Sequence, residues 1–418
     1  MSGLRAPRAL GGFLSQSSAV IAANLATAAL SVGYVALVSR KLGPSGYGEL
    51  TAAVALGNLL LLFLGPLNGT LVKFAAGYHR DGERARLAAL LFGNLRRLRW
   101  PAAGALGLAM VLSPLLRRLA HIDSRGVFFA LLLFVLASAL TAFPRSALSG
   151  EQRFAAFGSN QVFEALLRLL LGGALVLLGQ QAAGAMAGYA LGIGGALALG
   201  LFQMRHLSRE PPAPIDTRGL LSFSVAALLV YAWFVCASNL DVVIARDFLS
   251  TQDSGLYGAA SGLARLLFLM GTPIYAVLFA RVSSLRAGAD RRLLSMQVLA
   301  LMALGLAASF AFPWFGGARM LRLLFGDAFV GALPILRILW IATSLLVLQV
   351  AAAHYLLAIE RLRAAALFLL PCALLAGLLA WRHGSLSQIA GCVLASSAFG
   401  LLLTALLVFR EPGSEGAA

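Results

Sequence analysis

Twelve apolar stretches, each near the length of a membrane-crossing helix, follow one another along this chain of 418 residues. A helix needs about 20 apolar residues to cross roughly 30 Å of hydrocarbon, and regular backbone pairing is obligatory there because no water can satisfy it. Composition agrees. Hydrophobic residues make up 60% of the chain and charged residues only 12%, whereas soluble domains average about half apolar and a quarter charged. Disordered chains show the opposite bias. The sequence therefore predicts an all-α polytopic membrane protein.

A hydropathy window of about nineteen residues places six spans near 17–38, 48–70, 100–116, 127–146, 159–179 and 184–204. Six more follow near 221–244, 256–280, 294–315, 333–356, 363–381 and 386–409. The run after Arg5 and Arg8 is too long for a cleaved signal and reads as a retained first span. Between the two sets, Pro211, Pro212 and Pro214 interrupt a polar stretch that cannot continue a helix. The expected organisation is an N-terminal six-helix lobe over 1–204, a cytoplasmic linker over 205–219 and a C-terminal six-helix lobe over 220–418. No connection is long enough for a folded soluble domain. The longest, Lys73 to Arg99, reads as an amphipathic helix against the inner face or an extension of span three.

The net charge of +17 would suggest a polyanion partner in a soluble chain. In a membrane chain its placement matters more. With the N-terminus inside, 21 of the 33 basic residues fall on the cytoplasmic side and nine outside, as the positive-inside rule requires. Both termini are expected in the cytoplasm. Arg168, Arg265 and Arg337 remain within predicted spans. Cys236, Cys372 and Cys392 lie in apolar stretches and match no metal, haem or redox spacing.

The two sets repeat a pattern. Arg40 to Tyr47-Gly48 corresponds to Arg246 to Tyr257-Gly258, Gly65-Pro66 to Gly271 with Pro273, and Phe74-Ala75 to Phe279-Ala280, with offsets of 205 to 210 residues. An even number of spans per unit gives both units the same orientation, so a pseudo-twofold axis along the membrane normal relates them and a transport path would run between them. Tyr47 and Tyr257 can place their rings in the headgroup layer, and a purely structural role is the favoured reading for both.

The hairpin carrying Arg40, Leu42, Gly43, Pro44, Tyr47 and Gly48 resembles the Wzx-type polysaccharide flippases of the multidrug, oligosaccharidyl-lipid and polysaccharide exporter superfamily. Gly150-Glu151-Gln152-Arg153-Phe154, Asp241 to Tyr257 and Leu324-Phe325-Gly326-Asp327 are similar to the same family. The resemblance implies twelve helices in two lobes around a central cavity. It also implies a polyprenyl-diphosphate-linked oligosaccharide, such as an O-antigen precursor, carried across the bacterial inner membrane, with membrane lipids and other polysaccharide-assembly proteins as partners and no nucleic acid.

Few residues qualify as a site. A charge at a helix centre costs about 2.5–3.5 kcal/mol on insertion scales, so it normally faces protein or water. Arg265 in span eight and Arg168 in span five both fall near the midplane. Guanidinium binds phosphate oxygens bidentately and keeps its charge, which makes both candidates for a diphosphate. The alternative for each is an ion pair: Glu164 precedes Arg168 by four residues, and Asp241 is placed to meet Arg265. Asn58 and Asn24 are candidates for lining the cavity or for interhelical hydrogen bonds, and Lys73 for receiving the diphosphate or for snorkelling. No metal or other cofactor is expected. Coupling to a proton or sodium gradient would use Asp241 or Glu164, with His354 as a weaker candidate.

Two other functions compete. A cation-coupled exporter of small drugs would need acidic residues in the cavity, and buried carboxylates are scarce. A membrane glycosyltransferase, polymerase or ligase would need paired carboxylates, a metal cluster or a sizeable loop, none of which the sequence displays.

Overall fold

The computed structural model describes residues 6–62, 64–119, 122, 124–211, 213–214, 217–268, 289–358 and 367–409. Every regular element among them is helical. Seven helices are long and apolar enough to cross a membrane: Ile21–Leu60, Arg125–Gly150, Phe154–Leu177, Gln181–Gln203, Met296–Leu324, Asp327–Leu356 and Leu386–Leu407. The chain is a multi-pass, all-α membrane protein. Its contacts divide it into two compact units, Met1–Leu42 with Leu60–Val225, and Gly43–Leu59 with Ala226–Ala418.

The first unit contains the N-terminal part of α1 (Ala6–Leu60), α2 (Leu64–Arg80), α3 (Arg84–Ala88), α4 (Asn94–Val111), α5 (Ser113–Leu119), α6 (Arg125–Gly150), α7 (Phe154–Leu167), α8 (Gly173–Leu177) and α9 (Gln181–Gln203). π turns at Ala89–Gly93 and Arg168–Gly172 join α3 to α4 and α7 to α8. At one end of the unit, Leu71, Leu87, Leu90, Leu91, Leu148 and Leu207 form a buried cluster with Phe143 and Met204. Small residues allow its helices to approach: a Cβ on Gly150 would meet the backbone of Ala75 and Ala76 at 2.8 Å. In hydrocarbon such close packing, rather than water exclusion, holds helices together.

The second unit contains the end of α1, α10 (Thr217–Phe248) from Ala226 onward, α11 (Thr251–Ala264), α12 (Ala289–Ser309), α13 (Gly317–Leu324), α14 (Leu333–Ala358), α15 (Leu369–Trp381) and α16 (Leu386–Phe409). A third π turn, Phe312–Gly316, precedes α13. The end of α1 packs on α11 through glycines: a Cβ on Gly48 would lie 2.7 Å from Gly255 N, and one on Gly255 would overlap the Pro44 carbonyl.

Several expectations change. No loop separates the first two spans. Gly43 alone leaves the helical conformation, at φ 63° and ψ −177°, a left-handed region that Gly enters without a Cβ penalty, and Pro44 follows without an N–H to donate. Span two is not continuous either, because the helix ends at Leu60 and resumes at Leu64. Tyr47 and Tyr257 are buried within the second unit rather than presented to headgroups. Tyr47 packs edge-on against Phe325 and Phe329, and Tyr257 donates to Asp241. Span eight departs as well, since α11 ends at Ala264 with Arg265 as its C-cap. Gly271, Pro273, Phe279 and Ala280, on which half of the repeat rests, lie outside the described residues.

Candidate functional site

In the first unit the structure assembles a charged cluster around Glu164 on α7. Arg145 Nη2 donates to Glu164 Oε2 at 2.6 Å, and Arg145 Nε donates to Asn160 Oδ1 at 2.9 Å. Asn160 Nδ2 in turn donates to the Ala196 carbonyl at 2.7 Å. Arg168 lies on the other side of the carboxylate, with Nη1 at 3.9 Å from Glu164 Oε1. Its Nη2 donates to Ser31 Oγ at 2.6 Å, and Ser31 donates to the Thr27 carbonyl at 2.7 Å. Two guanidinium groups therefore share one carboxylate. The cluster keeps a net positive charge, with side-chain exposures of 22% for Arg145, 20% for Glu164 and 13% for Arg168.

Aromatic rings fix the Arg168 guanidinium. Its Cζ lies 4.8 Å from the ring centre of Tyr189 and 5.7 Å from that of Tyr34, within the range of cation–π attraction. The rings meet edge to face at 5.6 Å, and the Tyr34 hydroxyl donates to the Ala185 carbonyl at 2.5 Å. Glycines make this approach possible. A Cβ on Gly188 would stand 3.2 Å from the Arg168 carbonyl oxygen, and one on Gly192 would stand 2.8 Å from that of Glu164. Arg168 also opens a π turn, a feature often found at functional positions. Among the described residues its buried Nε has no hydrogen-bond partner, which leaves that donor of the guanidinium fork uncommitted.

The sequence reading missed three contributors here. Arg145 counts among the 21 cytoplasmic charges in the sequence although it falls at the end of span 127–146, and it lies inside α6, five residues from the end and thus about 7.5 Å along the axis. Tyr34 and Tyr189 carried no charge signal. The Gly184, Gly188 and Gly192 spacing, a small-residue stripe at four-residue intervals, was the available clue that another helix approaches beside Tyr189.

In the second unit, Asp241 on α10 is 4% exposed at its side chain and Arg265 is 30% exposed, with Oδ1 and Nη2 3.9 Å apart. Tyr257 donates to Asp241 Oδ2 at 2.8 Å, while Asp241 Oδ1 has no hydrogen-bond partner among the described residues. Arg265 Nη2 donates to the Ser238 carbonyl. Asp241, Arg265 and Ser238 open on a cavity of about 310 Å³ whose other walls include Ser261, Phe268, Leu339 and Thr343. Asn58 Nδ2 donates to Asn239 Oδ1 at 3.1 Å, and Asn239 Nδ2 donates to the Val235 carbonyl at 2.8 Å. Asn58 thus joins two helices of this unit.

Asn24 on α1 and Lys73 on α2 are exposed. His354 bonds through Nδ1 to the Val350 carbonyl one turn earlier at 2.8 Å. Arg337 sits over the Trp314 ring at 5.6 Å. Among the described residues, no group of three His, Cys, Asp or Glu side chains is placed to hold a metal ion.

Residues 13–286, about two thirds of the chain, match the family described as polysaccharide biosynthesis protein. No curated protein matches in sequence. Among solved structures, the chain is similar to the lipid II flippase MurJ in an inward closed conformation, with 12% identity and a TM-score of 0.71 over 94% of this chain and 88% of that one. It is similar to an inward-facing multidrug resistance MATE transporter of the MOP superfamily, with 11% identity and a TM-score of 0.66 over 92% and 94% of the two chains. A MOP superfamily transporter from Pyrococcus furiosus, described as having a binding pocket of reverse polarity, aligns with 13% identity and a TM-score of 0.60 over 95% of both. The fold is shared across all three.

Proposed function

The chain belongs to the polysaccharide biosynthesis protein family, and from that premise we propose that it is a flippase that carries a lipid-diphosphate-linked oligosaccharide across the bacterial inner membrane. The observation that carries this reading is the Arg145–Glu164–Arg168 cluster. Two guanidinium groups on one carboxylate leave an excess positive charge within apolar helices, where charge is costly and functional by default. An anionic headgroup would complete it.

In this reading twelve helices form two six-helix lobes, 1–204 and 220–418, joined by the cytoplasmic linker 205–219 and related by an axis along the membrane normal. Both termini are cytoplasmic. The lobes alternate access to a central path. Arg168 and Arg265 receive diphosphate oxygens, with Arg145 holding Glu164 so that this carboxylate does not monopolise Arg168. Asn58 and Asn24 line the route of the glycan, and Lys73 meets the diphosphate as it enters. Asp241 and Glu164 balance the arginines and are the groups through which a proton or sodium gradient would act.

Catalysis of a glycosyl or phosphoryl transfer has no support in the residues that converge. Export of organic cations would draw on Asp241, but that carboxylate already accepts from Tyr257 and faces Arg265. The test is reconstitution in liposomes with fluorescent lipid-linked oligosaccharide, scoring the label that becomes accessible from the opposite face. Wild type is expected to translocate it, with Arg168→Ala and Arg265→Ala strongly reduced. Full transport by both variants would refute the assignment of the arginines.

A further inference from the structure

The end of the first unit opposite the N-terminus of α6 holds a second charged cavity that the transport reading does not use. His79 at the end of α2, Gly82, Arg84 at the start of α3, Glu151 and Arg153 in the turn between α6 and α7, and His206 after α9 line an open cavity of about 740 Å³. Leu87, a member of the buried leucine cluster, also lines it. The turn is tight because Gln152 adopts φ 57°, which sets Glu151 and Arg153 side by side.

Charge is unevenly committed around this cavity. The Glu151 carboxylate, 7% exposed, is held by His206 Nε2 at 3.0 Å and lies 3.6 Å from Arg153 Nη1. Arg153 Nη1 also donates to the Gln203 carbonyl at 2.8 Å. The acidic wall is thereby satisfied. Nearby, Arg80 is engaged by Asp81 at 2.9 Å and Arg86 by Glu83 at 2.6 Å. Arg84 lies between them in sequence and pairs with neither carboxylate, and among the described residues the His79 side chain likewise has no hydrogen-bond or ion-pair partner. Two guanidinium groups line the cavity beside one carboxylate, and the unspent donors belong to Arg84 and His79.

We propose that this cavity is an anion site that takes a phosphate group through Arg84 and His79, with Arg153 and His206 behind them. Guanidinium matches phosphate oxygens in a planar, charge-assisted pair. The span-length helices α6 and α9 both end at the cavity, which puts it at the depth of membrane phosphates and equally within reach of soluble ones. The chemistry is shared by a phospholipid headgroup and by inorganic phosphate, and the experiment separates these sources.

The full chain is placed in phosphatidylcholine nanodiscs with and without phosphatidylglycerol, and bound phosphatidylglycerol is counted by native mass spectrometry. In a second arm, inorganic phosphate is titrated against the phosphatidylcholine nanodiscs. Arg84→Gln and the double variant Arg84→Gln/His79→Gln are compared with Arg86→Gln, an exposed arginine in the same segment that Glu83 already engages. Arg84→Gln is expected to weaken binding about tenfold, as loss of a charge-assisted hydrogen bond does, with a further loss in the double variant and no change in Arg86→Gln. An effect in the first arm identifies a lipid headgroup, and one in the second a soluble phosphate. Absence of binding in both arms, no effect of Arg84→Gln, or an equal effect of Arg86→Gln would overturn the proposal, the last by reducing it to general surface charge.

Discussion

Replacing Arg168 and Glu164 by glutamine in turn should move headgroup affinity in opposite directions. Arg168 offers a buried Nε without a partner among the described residues and a long 3.9 Å contact to Glu164, so an arriving phosphate oxygen gains a charge-assisted hydrogen bond worth about 1.5–3 kcal/mol. Arg168→Gln forfeits that bond, which corresponds to roughly a ten- to hundredfold rise in Kd. Glu164→Gln removes the anion that competes with the ligand, so affinity should increase while release slows. Arg168→Lys keeps the charge but loses the planar fork and much of the stacking on Tyr189, and should fall between wild type and Arg168→Gln. Kd is measured by fluorescence anisotropy of a labelled lipid-diphosphate sugar in nanodiscs, alongside thermal unfolding of each variant. If Arg168→Gln and Glu164→Gln lose affinity and stability together, the two residues form a structural pair and the reasoning fails.

Further outcomes follow from the packing. Gly188→Ala should push α9 away from the π turn at Arg168 and cost about 1–3 kcal/mol, as overpacking does, whereas Gly194→Ala, with open space around it, should be neutral; thermal unfolding in detergent distinguishes them. Tyr257→Phe leaves Asp241 Oδ2 without its hydrogen-bond donor and should destabilise the chain by about 1–3 kcal/mol, read from the same melts. Asn58→Ala should cost only about 0.6 kcal/mol if its bond to Asn239 is an ordinary interhelical one, and a fall in transport larger than the fall in stability would assign it to the substrate route.

Much of the architecture was legible because transmembrane helices are written in long apolar runs. The spans now seen as α6, α9, α14 and α16 are each visible as one hydropathy peak, since their polar residues are few. Kinks were harder. Hydropathy does not register that Gly43 and Pro44 can turn a helix without a loop, or that Leu60 and Leu64 are separated by a break. Arg168, Glu164, Arg265 and Asp241 stood out as charges inside spans, and the structure brings each pair to 3.9 Å. Arg145 did not, because a charge near a span end looks like a loop residue until tertiary contacts reveal its partner. Tyr34 and Tyr189 were invisible for another reason: their role depends on α1 and α9 meeting α7, and aromatic residues alone do not announce that meeting.

The most direct test places two substrates in one preparation. Proteoliposomes containing the purified chain are loaded in parallel with a fluorescent lipid-diphosphate oligosaccharide and with a fluorescent organic cation, and movement of each across the bilayer is followed. The account predicts that the anionic lipid-linked sugar crosses and that Arg168→Gln abolishes the signal, while the cation stays put. Movement of the cation under an imposed ion gradient, with the lipid-linked sugar immobile, would contradict it.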